Sequence, residues 1–180
     1  MDLQLLLIGF FLPLFPLSIA VNVLLERMPH AWARALVLLI WPQVGVFLVA
    51  EHIGGLPDWI KYWGLATAGL YAFRMLAMRE VNRWVGFLAT SSWALLWTPV
   101  YKGLSLAEIE VLALGFGLPL AIMAVLAGEI AKRYGAAYTG LYGGLAVAMP
   151  RLTGLLIVSL FAAIATPVFP AFFAVLHTLV

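Results

Sequence analysis

Long apolar runs separated by short polar breaks make up the whole chain. Six runs stand out, at about residues 3–25, 35–53, 60–78, 84–101, 107–131 and 150–178. A helix needs roughly 20 apolar residues to cross the hydrocarbon layer of a bilayer. The alternating segments of about ten residues that are typical of a membrane β-barrel are not found. The pattern therefore predicts an all-α, polytopic membrane protein, with six transmembrane helices in a single bundle over residues 1–180.

Composition agrees with this prediction. The 65% content of hydrophobic residues, the 10% content of charged residues and the mean hydropathy of +1.08 exclude a soluble fold, because one core could not bury so much apolar surface. The N-terminus begins Met1-Asp2 without a basic segment, so we expect the first run to be a retained helix and not a signal peptide. A net charge of +2 gives no indication of nucleic-acid binding.

The basic residues are distributed unequally between the breaks. Lys61 and Lys102 are the ones in the second and fourth breaks. The first, third and fifth breaks carry the rest of the 10 Lys and Arg residues: Arg27, Arg34, Arg74, Arg79, Arg83, Lys132, Arg133 and Arg151. Breaks rich in Lys and Arg stay in the cytoplasm. We therefore expect a multi-pass protein of the cell inner membrane, with both termini on the outer (periplasmic) side.

No Lys, Asp, Glu or His lies in the middle of a predicted span, where the ionisable groups of pumps are normally found. The neutral polar residues Gln43, Thr90 and Ser91, with Ser92, allow two interpretations. They could line a hydrated proton or ion relay, or they could form hydrogen bonds between packed helices. The second interpretation is the commoner role of such residues, and we favour it.

Other candidate sites are sparse. Three isolated histidines and the absence of cysteine give no metal site, and no cofactor is predicted. Arg74, Arg79 and Arg83 form a cytoplasmic basic patch that could bind anionic lipid or a partner loop. The alternative is that they only set the topology, with Glu80 as a local counter-charge. Pro167 and Pro170 predict a break in the last helix, because each proline removes a backbone donor.

Part of the chain resembles a known family. Residues 140–173, GLYGGLAVAMPRLTGLLIVSLFAAIATPVFPAFF, are similar to a helix of proton-conducting antiporter-like subunits that reads Gly-Gly-Leu, then Met-Pro, then an apolar stretch with a proline break. Such subunits belong to respiratory complex I, Mrp antiporters, membrane hydrogenases and bicarbonate-uptake complexes. Residues 72–97 and 110–135 are similar to the two preceding family helices, whereas residues 1–53 resemble the first two only weakly.

The departures from the family pattern bear on function. Asn82 stands where the family has a lysine, and Ser92 and Phe116 stand where it has histidines. None of these three side chains titrates near neutral pH. The chain is also much shorter than a family subunit, so it lacks the helices that carry the other intramembrane lysine and glutamate. The resemblance thus implies the family scaffold without its proton relay.

These observations favour a non-pumping, antiporter-like accessory subunit without catalytic activity of its own. We expect it to pack against a larger antiporter-like subunit in a hetero-oligomeric complex, surrounded by membrane lipid. Glycines on expected packing faces would admit partner helices: Gly115, Gly117, Gly128, Gly143, Gly144 and Gly154. One alternative is an active proton or cation transport subunit that forms a channel with a partner chain. Another is a stand-alone membrane enzyme or quinone-site subunit, although no catalytic constellation supports it.

Overall fold

The computed structural model describes residues 3–138 and 144–179, with the side chains of residues 3, 170, 174 and 177–179 left aside. Over these ranges the chain is helical, with one isolated β-bridge between Glu80 and Tyr138 and no strand. The helices are α1 (Leu3–Phe11), α2 (Ser18–Arg27), α3 (Ala31–Val49), α4 (Asp58–Met75), α5 (Val81–Leu95), α6 (Trp97–Lys102), α7 (Leu106–Tyr134), α8 (Leu145–Ala148), α9 (Pro150–Ala163) and α10 (Pro170–Leu179). The all-α prediction is confirmed for this part of the chain.

Local sequence explains where the longest helix begins and ends. The hydroxyl of Ser105 accepts a hydrogen bond from the Glu108 backbone, and the Glu108 carboxylate accepts one from the Ser105 backbone. This capping box satisfies the free donors at the start of α7. Gly135, with φ of 81°, ends the helix in the left-handed conformation that glycine adopts without strain.

Three of the six predicted runs are not single helices. The first is broken at residues 12–17, which contain Pro13 and Pro16. The fourth is divided at Leu96, because the ring of Pro99 is incompatible with the carbonyl four residues earlier. The sixth ends at Ala163 and resumes at Pro170, a larger interruption than a kink. The lengths of the apolar runs could not reveal these interruptions, because proline is itself apolar and does not end an apolar run.

Within the described residues, two helices are long and apolar enough, by length and composition, to cross a membrane: Ala31–His52, which is α3 with its terminal 3₁₀ turn, and Leu106–Tyr134. They pack closely against each other. A Cβ atom on Gly117 would lie 2.8 Å from the Leu38 carbonyl oxygen, and one on Gly128 would overlap the Ala31 side chain. These two glycines therefore serve contacts inside the chain and not the partner contacts that we expected of them. Gly143 lies outside the described residues.

Successive turns lie at opposite ends of the bundle. Arg83 is 3.5 Å from Glu26, and Val81 N–H donates to the Ala137 carbonyl at 2.9 Å. The turns that correspond to the first, third and fifth polar breaks of the sequence therefore lie together. At the other end, Gly54 N–H donates to the Val100 carbonyl at 3.0 Å. We call the first of these the basic end. The grouping is the one that alternating crossings would produce.

Candidate functional site

Buried side-chain hydrogen bonds join α2 to α4 and α5. Asn22 Nδ2 donates to Thr90 Oγ1 at 2.8 Å and to the Ser18 carbonyl at 3.0 Å. Ser18 Oγ and Tyr71 Oη are 2.9 Å apart, and Thr90 Oγ1 donates to the Gly86 carbonyl at 2.9 Å. We call Ser18, Asn22, Tyr71 and Thr90 the polar chain. All four side chains are buried.

Neighbouring hydroxyls use their protons on backbone carbonyls. Ser91 Oγ donates to the Ala68 carbonyl at 2.9 Å, and Thr67 Oγ1 donates to the Trp63 carbonyl at 2.8 Å. Each hydroxyl can still accept a hydrogen bond, and Thr67 Oγ1 accepts one from the Phe15 N–H at 3.1 Å. The Ser91 bond joins α5 to α4, whereas the Thr67 bond lies within α4.

A cavity of about 260 Å³ lies at the basic end, where the polar chain reaches Asn22. We call it the polar cavity. Arg83 Nε lies 3.2 Å from Glu80 Oε2 and 3.5 Å from Glu26 Oε1, so one guanidinium lies between two carboxylates. The contact of Arg83 with Glu80 is expected from their i, i+3 spacing, whereas Glu26 lies on α2. The lining residues are Asn22, Leu25, Glu26, Arg27, Arg34, Glu80, Asn82, Arg83 and Gly86.

Two residues of this lining each have a buried polar atom without a hydrogen-bond partner in the protein. They are Arg34 Nε, a donor, and Asn82 Oδ1, an acceptor. Most buried polar groups in proteins are paired, so each unpaired one requires an explanation. Sequence reasoning named Asn82 through its place in the family pattern, but it treated Arg34 only as a topology residue. Nothing in the local sequence indicates that these two residues line one cavity.

The remaining candidates lie elsewhere. Gln43 Nε2 donates to the Glu110 carbonyl at 3.2 Å and joins α3 to α7. Ser92 is buried on α5, and Phe116 belongs to the apolar core. None of these three lines the polar cavity. Among the described residues, no group of three His, Asp or Glu side chains is placed to hold a metal ion.

The predicted basic patch divides between different environments. The Arg74 guanidinium lies over the Phe87 ring, 5.2 Å from its centroid, in a cation–π contact. Arg79 is exposed in the turn before α5, and Arg83 belongs to the polar cavity. All three arginines are exposed, and each has different neighbours.

The break at residues 12–17, which we call the N-terminal break, is a feature that sequence reasoning missed. Three tryptophan indoles donate to carbonyls at or beside it: Trp97 to Leu12 at 3.1 Å, Trp63 to Phe15 at 2.7 Å and Trp41 to Phe10 at 3.3 Å. The Phe15 N–H donates to Thr67 Oγ1 at 3.1 Å. Pro13 and Pro16 were the local signals for this break. The tryptophans that donate to its carbonyls lie far away in the sequence, so the pairing could not be predicted.

At the break around Pro167, residues 164–169, the observed hydrogen bonds join residues close together in the sequence. Both the N–H and the hydroxyl of Thr166 donate to the Phe161 carbonyl, at 3.2 and 3.0 Å. Phe169 N–H donates to the Thr166 carbonyl at 3.0 Å. We call this segment, which ends where Pro170 begins α10, the C-terminal break. It borders an apolar cleft of about 530 Å³ that also includes Leu104 and Phe173.

Comparison of the chain with protein-family models, with curated proteins and with solved structures gives no match.

Proposed function

We propose that this chain is a non-pumping, antiporter-like accessory subunit of a multisubunit, energy-coupled complex of the cell inner membrane. It would cross the membrane six times, with both termini outside, and pack against a larger, proton-conducting subunit. The complex would be of the complex I, hydrogenase, Mrp antiporter or bicarbonate-uptake type. The proposal combines the family resemblance of residues 72–97, 110–135 and 140–173 with the chemistry of the interior.

The observation that carries the proposal is the neutrality of the buried polar side chains. Among the described residues, those with buried polar or charged side chains are Ser18, Asn22, Thr67, Thr90, Ser91, Ser92, Thr98 and Ser159. A proton relay needs groups that gain and lose protons under physiological conditions. Amides and aliphatic hydroxyls do not gain or lose protons near neutral pH.

The outer surface supports a membrane setting with protein neighbours. Large apolar side chains recur on one side of α3, where Trp32, Leu36, Ile40 and Phe47 are exposed. Apolar surface of this extent is stable only against lipid or another protein. The alternating ends of the bundle support an even number of crossings, and the apolar cleft beside Phe173 suits a helix or loop of a partner.

A second candidate is an active transport subunit, and the polar cavity favours it. The cavity opens onto Asn22, which begins the polar chain toward Tyr71. In this alternative the partner chain would supply the titratable groups, and the polar chain would form one wall of a hydrated path.

Flux measurements on the purified complex in vesicles separate the two candidates. Thr90→Val keeps the shape of the side chain and removes its hydroxyl, and Thr153→Val on α9 is the matched control, since Thr153 also donates to a helix carbonyl. For an accessory subunit we expect proton flux per assembled complex to be unchanged in both variants. Deleting the chain should lower the yield of assembled complex.

The opposite pattern would reject the accessory role. If Thr90→Val lowers proton flux severalfold while assembly and the Thr153→Val control stay normal, the chain takes part in transport. If the chain purifies alone with an activity of its own, both candidates are wrong and the stand-alone enzyme is favoured.

A further inference from the structure

Two residues that line the polar cavity each carry an unpaired buried atom, and the two atoms have complementary requirements. Arg34 Nε carries a proton and needs an acceptor, whereas Asn82 Oδ1 needs a donor. A group that satisfies both must present an acceptor to Arg34 and a hydroxyl or similar donor to Asn82. The volume of about 260 Å³ is several times the roughly 30 Å³ that one water occupies in the liquid, so a group larger than one water fits.

The charges of the lining favour an anion as the acceptor. Arg27, Arg34 and Arg83 carry three positive charges, and Glu26 and Glu80 carry two negative ones. Both carboxylates lie against Arg83, and Glu80 also interacts electrostatically with Arg34, so the lining as a whole keeps one surplus positive charge. A guanidinium matches the geometry of phosphate oxygens well.

We propose that the polar cavity binds a phosphate group that carries a neighbouring hydroxyl. The phosphate would accept from Arg34, and the hydroxyl would donate to Asn82. This chemistry occurs in the headgroup of phosphatidylglycerol and in free hydrogen phosphate or glycerol phosphate. The site is independent of the accessory role, because it depends on the cavity alone.

Binding to the purified full chain in lipid nanodiscs tests the site. One nanodisc contains phosphatidylcholine alone, and the other also contains phosphatidylglycerol; inorganic phosphate and glycerol phosphate are added to each in turn. Retained phosphatidylglycerol and the thermal unfolding temperature are measured. Arg34→Gln removes the charge, and the Nε–H that it removes makes no protein hydrogen bond. Arg151→Gln is the control, since Arg151 is exposed and does not line the cavity.

We expect Arg34→Gln to bind phosphatidylglycerol or phosphate about tenfold to a hundredfold more weakly, as for the loss of a charge-assisted hydrogen bond. Arg151→Gln should bind like the unmodified chain. Asn82→Asp, which places a negative charge at the acceptor position, should also weaken binding. This second variant keeps the test valid if Arg34→Gln does not fold.

The arms of the experiment identify the source of the phosphate. If added phosphate stabilises the chain in phosphatidylcholine alone and displaces phosphatidylglycerol, the site takes a free phosphate group. If only phosphatidylglycerol binds, the ligand is the lipid headgroup. Equal binding by all variants, equal loss in Arg34→Gln and Arg151→Gln, or no binding of either probe would overturn the proposal and leave a cavity that holds water.

Discussion

Two of the three interrupted runs share a sequence signal and differ in structure. Each break is marked by two prolines three positions apart: Pro13 with Pro16, and Pro167 with Pro170, which directly follows the C-terminal break. At the N-terminal break, indoles from α3, α4 and α6 donate to the carbonyls. At the C-terminal break, Thr166 donates a hydrogen bond to the Phe161 carbonyl, and the neighbouring Val168 is 86% exposed.

The difference teaches that a proline break does not by itself indicate an ion site. Transporters use the free carbonyls of discontinuous helices to coordinate ions. At the N-terminal break those of Leu12 and Phe15 already accept from tryptophan, and coordinating an ion would require displacing these donors. This break therefore joins helices together. The C-terminal break is held by its own residues and leaves its outer side for lipid or a partner.

The largest expected effect is at Trp97, which is completely buried and donates to Leu12. Trp97→Phe should lower the free energy of unfolding by about 2–4 kcal/mol, because an unpaired buried carbonyl costs about 1–3 kcal/mol and the smaller ring leaves a cavity. Thr166→Val at the C-terminal break should lower the free energy of unfolding by under about 0.5 kcal/mol, because the backbone N–H of residue 166 still donates to the Phe161 carbonyl. Denaturation in detergent micelles measures both. Equal losses would remove the distinction between the breaks.

A glycine pair gives the next effect. A Cβ atom on Gly45 would lie 2.9 Å from the backbone nitrogen of Leu12, whereas one on Gly154 would meet nothing within 4 Å. Gly45→Ala should therefore destabilise the chain by about 1–3 kcal/mol through overpacking. Gly154→Ala, also in a helix, should be neutral or stabilise by up to about 1 kcal/mol. Unfolding curves recorded side by side test this, and a stable Gly45→Ala variant would show that α3 does not press against the N-terminal break.

The smallest effect is at Ala165 in the C-terminal break, whose φ is 56°. The left-handed conformation costs an L-residue about 1–2 kcal/mol, and glycine avoids this at some cost in chain entropy. Ala165→Gly should stabilise the chain by about 0.5–1 kcal/mol in the same assay. Destabilisation would mean that the alanine methyl group makes a contact that outweighs the strain.

Much of the fold follows from the sequence because its causes are local. Continuous apolar residues give α3, α4 and α7, and a Ser-x-x-Glu signal begins α7. The distribution of Arg and Lys separates the two ends of the bundle, and Pro170 marks the start of α10. The N-terminal break does not follow from the apolar pattern, because Pro13 and Pro16 are apolar and lie within a continuous apolar run.

The candidate site could be predicted only in part. Thr90, Asn82 and Arg83 were recognised one by one, but Asn22, Glu26 and Arg34 come to the same place from other helices. Helix periodicity places a residue on a face, and it does not say which distant face lies opposite. The pairing of Asn22 with Thr90 spans 68 positions, and that of Leu12 with Trp97 spans 85.

By itself, the sequence determined that this chain is a set of apolar helices with charge collected at one end and few ionisable groups between. Those properties depend on residues near one another in the chain. Tertiary structure decided which carbonyls of the broken helices receive donors and which buried atoms are left unpaired. Both outcomes depend on contacts within about 3 Å between distant segments, and only the packed bundle defines them.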